Sequence, residues 1–398
     1  MSMPPRLASL AAIALVGAAL ACGGPVDPIS VARWDPSETE HAFPDVIAAL
    51  TEGNAAQAVT LAQQRLARTS PPDGLQHYLG LALLETGRAE EARDALLLAV
   101  ERHPGNADAH LFLAEAYLEL GQPADAESHL DAATFHLSDL PYLYLVRARL
   151  DFDQGRSKEA QLAFGTYLSA EPIGVRAAEA HTKLAQLAAE GGYEDARAQH
   201  EATAARLVQS HQFLNAYRAR LEQDGNDADA LLGLAMVQIS FYENHDNPLR
   251  LPEDIELKLL EFAGAALTRA LEIDPSAVKA WLNLGYVHTR LKQYDAAAEA
   301  YARLLELQPD HVPAALNDAM LARGSGDLER ARQRLESARP HATDPEDQLR
   351  LHGEAALLAE AEGQHAEALA EWHAALGLDP EDSRIQAEIS RLEAFSAK

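Results

Sequence analysis

Alanines at fixed intervals limit what this chain can become more than any other feature. Ala58, Ala92, Ala126 and Ala160 are each 34 residues apart, and so are Ala263, Ala297 and Ala331. A second small site precedes each of six of these alanines, at Gly80, Ala114, Ala148, Ala235, Gly285 and Ala319. The offset is twelve residues in every case but Ala235, where an insertion intervenes. Two small sites per period are what two antiparallel helices need if their axes are to approach within about 8 to 10 Å. Glycines between the paired segments (Gly53, Gly87, Gly121, Gly155, Gly191, Gly326 and Gly363) are expected to supply the positive φ at which helices often end. Pro104, Pro172, Pro275, Pro309 and Pro380 fall between periods, where a missing N–H harms no helix. No alternating strand pattern of useful length appears, so the expected class is all-α.

The clearest period reads Ala280-Trp281-Leu282-Asn283-Leu284-Gly285-Tyr286-Val287-His288, then Tyr294-Asp295-Ala296-Ala297, Tyr301 and Pro309. It resembles the tetratricopeptide repeat, with His288 where that family usually has Tyr. The resemblance implies a right-handed α-solenoid of helix hairpins. In this register repeats fall at 39–72, 73–106, 107–140 and 141–174, with a degenerate fifth at 175–209. A sixth begins near 228, and others span 278–311, 312–345 and about 349–382. A helix at 383–396, polar on one side, is expected to cap the array. Residues 39–209 thus form an N-terminal stack and 228–398 a C-terminal one, with 210–227 as a joint. Glu194 to Gln223 holds neither proline nor glycine, so either one long helix or two with a break near Ser210-His211 fills it. The insertion at about 243–257 carries Pro248 and Pro252, which exclude a straight helix there.

The first forty residues read differently. Arg6 precedes an apolar run from Leu7 to Ala21, a signal peptide over residues 1–21. Ala18-Ala19-Leu20-Ala21-Cys22-Gly23-Gly24 resembles the lipobox of bacterial lipoproteins, with Ala19 where Leu is usual. That resemblance implies lipidation of Cys22, and Gly23 after it implies an outer-membrane lipoprotein facing the periplasm. A secreted or soluble periplasmic protein is the alternative. Residues 22–38, with Pro25, Pro28 and Pro36, read as the lipidated cysteine and a tether. Cys22 is the one cysteine of the chain, so processing would leave no thiol pair and stability must come from packing.

Lys and Arg number 33 against 61 Asp and Glu, a formal charge of −28, which excludes a nucleic-acid backbone as partner. No H-E-x-x-H, paired cysteines, G-x-S-x-G or phosphate-cradling loop accompanies the sixteen histidines. His245 beside Asp246 is too few ligands for a closed metal site. No catalytic residue, metal or cofactor is therefore expected. The family resemblance places the second, fifth, ninth and twelfth residues of each first helix on a concave groove. In the N-terminal stack this selects Leu111, Leu145, Arg149 and Phe152 among others. In the C-terminal stack it selects Leu232, Met236, Lys279, Leu282, Tyr286, Leu316, Met320, Arg323 and Arg350. Such a lining suits an extended or helical peptide whose apolar side chains fill the groove while its acids meet Arg149, Arg323 and Arg350. The expected function is a non-catalytic scaffold that assembles envelope, secretion or pilus machinery, bound to the membrane by its lipid anchor only. An accessory subunit holding an exported or membrane enzyme of a polysaccharide or cell-wall pathway is the rival.

Overall fold

The structure, a computed structural model, describes residues 43–51, 53–67, 74–138, 140–174, 176–243, 251 and 253–396. The signal sequence, Cys22, the tether, and His245 with Asp246 lie outside the described residues. Two compact units are present: Met1–Gly225 with Ser240–Leu259, and Asn226–Ile239 with Leu260–Lys398.

Every regular element among the described residues is an α-helix, nineteen in all. The first ten are α1 (Pro44–Thr51), α2 (Ala55–Leu66), α3 (Leu75–Glu85), α4 (Ala89–Arg102), α5 (Ala107–Glu119), α6 (Pro123–Leu137), α7 (Pro141–Asp153), α8 (Ser157–Ala170), α9 (Ala177–Glu190) and α10 (Glu194–Gln223). Then come α11 (Ala228–Tyr242), α12 (Glu253–Ile273), α13 (Val278–Arg290), α14 (Tyr294–Leu307), α15 (Val312–Ser325), α16 (Leu328–Ala338), α17 (Pro345–Ala361), α18 (His365–Leu378) and α19 (Ser383–Ser396). Within each unit successive helices pack as hairpins, and α19 packs on α18 as the terminal cap. First helices of neighbouring repeats also touch, α3 on α5, α5 on α7 and α15 on α17.

The periodic alanines do what their size requires. Ala58, Ala92, Ala126, Ala160, Ala263, Ala297 and Ala331 are all buried. Opposite them the second small site receives a large side chain sixteen residues on. A methyl group added to Gly80 would lie 2.4 Å from Leu96 Cγ, and one added to Gly285 would lie 2.4 Å from Tyr301 Cε1. The lack of a side chain at Gly80 and Gly285 is thus what lets these two hairpins close. Loops are held by a recurring bond. The fourth residue of a first helix donates to the carbonyl six residues upstream: His110 to Pro104 (3.0 Å), Tyr144 to Ser138 (2.8 Å), Trp281 to Pro275 (2.9 Å), Gln348 to Ala342 (3.0 Å) and Gln386 to Pro380 (2.8 Å). Different residue types meet one need, a donor at that height that ties the loop to the helix it precedes.

Two expectations about turns and breaks change. In the fifth repeat the positive φ lies at Gly192 (74°), while Gly191 stays right-handed at −80°. In the seventh repeat, which has no glycine there, Lys292 takes the left-handed conformation at φ 59°. Residues 194–223 form one thirty-residue helix that runs through Ser210 and His211 without a break. Thr203, Ala204, Leu207, Ser210, Leu214, Arg218 and Leu221 are buried along it, a stripe at helical spacing that spans the midpoint.

Candidate functional site

The face made by the first helices has different chemistry in the two units. In the first unit it is closed by charge. Glu115 on α5 accepts from Arg176, the residue before α9, at 2.8 Å and from Arg149 on α7 at 3.2 Å. Arg176 also donates to Glu85 on α3 at 2.8 Å, and its guanidinium lies 4.7 Å from the centre of the Tyr142 ring. Arg149 is further paired with Glu179 on α9, at 3.3 Å, and with Glu119. Four carboxylates thus share two guanidinium groups across four first helices. Glu115 is 4% exposed and Arg149 14%. Burial works to raise the Glu115 carboxyl, but Arg176 and Arg149 outweigh it and hold the group below its usual range. Arg149 itself is raised, its partners overcoming the opposing effect of burial. A cavity of about 190 Å³ lies against the network, lined by Leu84, Glu85, Gly87, Glu115, Glu119 and Arg176 among others. Beyond it, Lys183 sits 4.2 Å from the centre of the Phe152 ring.

Several groove residues expected from the repeat register are placed elsewhere. Leu111, Leu145 and Leu316 are buried at 0, 0 and 1% exposure and line no open groove. They stand at the fifth position, which is consumed where first helices of neighbouring repeats touch. Phe152 is half-buried beneath Lys183. Arg149 is committed to the chain's own glutamates, and Arg323 pairs with Glu354 at 3.1 Å. Arg350 is exposed and donates to Asn317 at 2.7 Å. Two of the three cations expected to greet an acidic peptide therefore already carry an internal carboxylate.

In the second unit part of the same face stays open. Met236 on α11 is 47% exposed and Met320 on α15 is 36% exposed. Leu232, Leu282 and Tyr286 are half-buried, and Lys279 is exposed beside them on α13. Leu282 and Trp281 lean on the core formed by Tyr301, Leu304, Leu316 and Ala319. The indole of Trp281 holds a loop, as described above, and Trp372 donates to Glu360 at 3.1 Å, so both tryptophans act as structural residues.

Glu115, Glu85 and Arg176 were not among the expected site residues. The sequence did hold a signal for the first: Glu115 stands one period, 34 residues, before Arg149. Equal register on successive first helices brings opposite charges side by side. Arg176 and Glu85, 91 positions apart, carry no comparable mark. Among the described residues no group of three or more His, Cys, Asp or Glu is placed to hold a metal, and no helix is long and apolar enough to cross a membrane.

Family models for the tetratricopeptide repeat match residues 83–150 and, in a second form, residues 46–107 and 256–312. At these residues the chain carries tetratricopeptide repeats, in keeping with its array of helix hairpins. Several solved structures are similar to it at low identity. Pseudomonas aeruginosa pilF is 17% identical, with 79% of this chain and 96% of that one covered and a TM-score of 0.34. A tetratricopeptide repeat protein from Parabacteroides merdae is 13% identical, with coverage of 80% and 97% and a TM-score of 0.32. PilW, described as a type IV pilus biogenesis factor, is 16% identical, with coverage of 71% and 98% and a TM-score of 0.30. No curated protein sequence matches the chain.

Proposed function

We propose that this protein is a non-catalytic scaffold, tethered to the bacterial outer membrane through Cys22, that binds protein partners in the second unit and helps assemble envelope, secretion or pilus machinery. The observation that supports the binding reading is the exposure of Met236 and Met320 at the same register position of α11 and α15, with Leu282 and Tyr286 half-buried on α13 and Lys279 and Arg350 exposed. Flexible thioether side chains adapt to differently shaped apolar partners. Cations at the rim of an acidic molecule steer approach and orientation more than they add affinity. The partner is then an apolar peptide or helix with acids at its margin, docking by filling a groove. The first unit is proposed to serve as a rigid spacer, since its own ion pairs fill the corresponding face. The anchor reading rests on the residues around Cys22 alone.

The test is capture from detergent-solubilised envelopes with three forms of the chain. Wild type is expected to retain a defined set of proteins that Met236→Glu/Met320→Glu loses. Cys22→Ala is expected to shift the chain from the membrane to the soluble fraction while keeping the same partners. Capture undiminished by the double methionine change would refute the groove reading, and an unchanged membrane fraction for Cys22→Ala would refute the anchor.

A further inference from the structure

One hairpin departs from a rule that others keep. Sixteen residues after the second small site, five hairpins carry a large apolar side chain: Leu96, Leu130, Phe164, Tyr301 and Leu335, all buried. Gly80 and Gly285 show the reason, since Leu96 and Tyr301 wedge directly onto them. In the fifth repeat the register is set by the positive-φ glycines. Gly192 lies 37 residues after Gly155, so Ala185 answers to Ala148 and Glu201 to Phe164. Ala185 is buried like its counterparts, but Glu201 is exposed. A carboxylate cannot act as the wedge, because burial there would strip it of water.

The hairpin is left with a groove. A cavity of about 1040 Å³ lies along α9 and α10, with Ala185, Ala189, Ala204 and Ala205 in its lining. That is the volume of about nine residues of α-helix, taking a rise of about 1.5 Å and a diameter of about 10 Å. Small side chains let another helix axis come close. Arg206, five residues beyond Glu201, also lines the groove. Its Nε is buried with no hydrogen-bond partner among the described residues, whereas Arg197 is paired with Glu194 and Glu201. A guanidinium nitrogen shut off from water calls for an acceptor. None of the lining residues belongs to the ion network around Glu115.

We propose that this groove docks an α-helix of a partner protein, which supplies a Leu- or Phe-sized side chain over Ala185 and a carboxylate to Arg206. The shape is set by what fills the same place in the other hairpins, and the charge by the guanidinium. Glu201 and Arg206 are separated along α10 by a rise of about 7.5 Å. A helix lying along α10 therefore carries its acid four or five residues from its apolar knob. Thr182, Gln186 and Gln209 add hydrogen-bonding groups that fix its register. The occupant is a different protein, since two copies of a chain with a formal charge of −28 repel one another.

The experiment introduces the photo-crosslinker p-benzoylphenylalanine at Gln212, an exposed residue of the lining, and irradiates the full chain in envelopes of the cell that makes it. The expected product joins Gln212 to a segment of another protein with an apolar residue and an acid four or five positions apart. That segment, made as a peptide, should bind the wild-type chain and bind Arg206→Gln about tenfold more weakly or worse, the cost of a hydrogen bond to a charged group. Glu201→Phe puts the wedge of the fourth repeat back in cis. It should abolish both the crosslink and the peptide's binding while the urea midpoint rises, so the loss comes from filling the groove and not from unfolding. Met236→Glu/Met320→Glu should leave both signals intact, which separates this groove from the surface proposed for the second unit. A crosslink to this chain itself or to no protein, a joined segment without the acid, or binding unchanged in both Arg206→Gln and Glu201→Phe would overturn the proposal.

Discussion

Acid should weaken the first unit through His77. Its imidazole is 1% exposed on α3, edge-on to Tyr78 at 5.0 Å and tilted over Phe112 at 5.5 Å, and its Nδ1 is buried with no hydrogen-bond partner. Burial lowers its pKa from 6.5 to about 4. A depressed histidine binds its proton more readily in the unfolded chain, so its neutral form stabilises the fold fully above pH 6.5, and that stability drains away as the pH falls toward 4. At pH 5 the unfolded chain is largely protonated at this site and the folded chain is not. The loss is then about 1.5 pKa intervals of 1.36 kcal/mol, or about 2 kcal/mol from this residue alone. His77→Leu keeps roughly the volume and removes the proton. It should leave stability at pH 7 unchanged or higher and reduce the fall between pH 7 and pH 5 by about 2 kcal/mol. Of the three tryptophans, Trp281 and Trp372 lie in the second unit, so in a Trp34→Phe background fluorescence follows that unit while far-UV circular dichroism follows both. Urea unfolding at each pH should show the change in the dichroism transition and none in the fluorescence transition. An identical pH dependence for wild type and His77→Leu would refute the reasoning.

The ion network, the hairpin closures and the loop bonds each make a further prediction. Arg176→Met should destabilise by about 3 to 5 kcal/mol, because Glu115 and Glu85 lose a buried partner; adding Glu115→Gln should restore part of that loss, as urea midpoints would show. Gly285→Ala should cost about 1 to 2 kcal/mol, since overpacking against Tyr301 exceeds the roughly 1 kcal/mol that alanine gains as a helix former, and Tyr301→Leu should remove the penalty in a double-mutant cycle. Trp281→Phe should cost about 1 kcal/mol through the lost bond to Pro275, read as a lowered midpoint in thermal unfolding. Ala297→Phe should cost about 1 to 3 kcal/mol by forcing α13 from α14, and an unchanged melting temperature would count against the register.

How far the chain could be read from its sequence follows from the range of the forces concerned. Small residues at Ala92, Ala126 and Ala297 act by sterics on the helix they face, at constant spacing, and so the hairpins were legible. Gly191 and Gly192 show the limit of that reading: two adjacent glycines offer the same freedom, and only the completed turn decides that Gly192 takes the positive φ. The uninterrupted helix through Ser210 was one of two readings, because an unbroken polar-apolar pattern fits a long rod and a pair of short ones equally well. The face of the array was legible in position and not in state. A register argument places Leu145 and Leu282 at equivalent points, yet one is buried and the other half-buried. What distinguishes them is how neighbouring side chains answer one another across the repeat. Where successive first helices present complementary charge, as at Glu115 and Arg149, the charged groups of the face satisfy one another. Where they present Met236 and Met320, apolar surface stays in water. A repeat fold fixes the backbone for every period alike, so what differs between periods is whether the exposed side chains complete each other; reading the same register position down successive repeats, and not each repeat alone, is what separates the two.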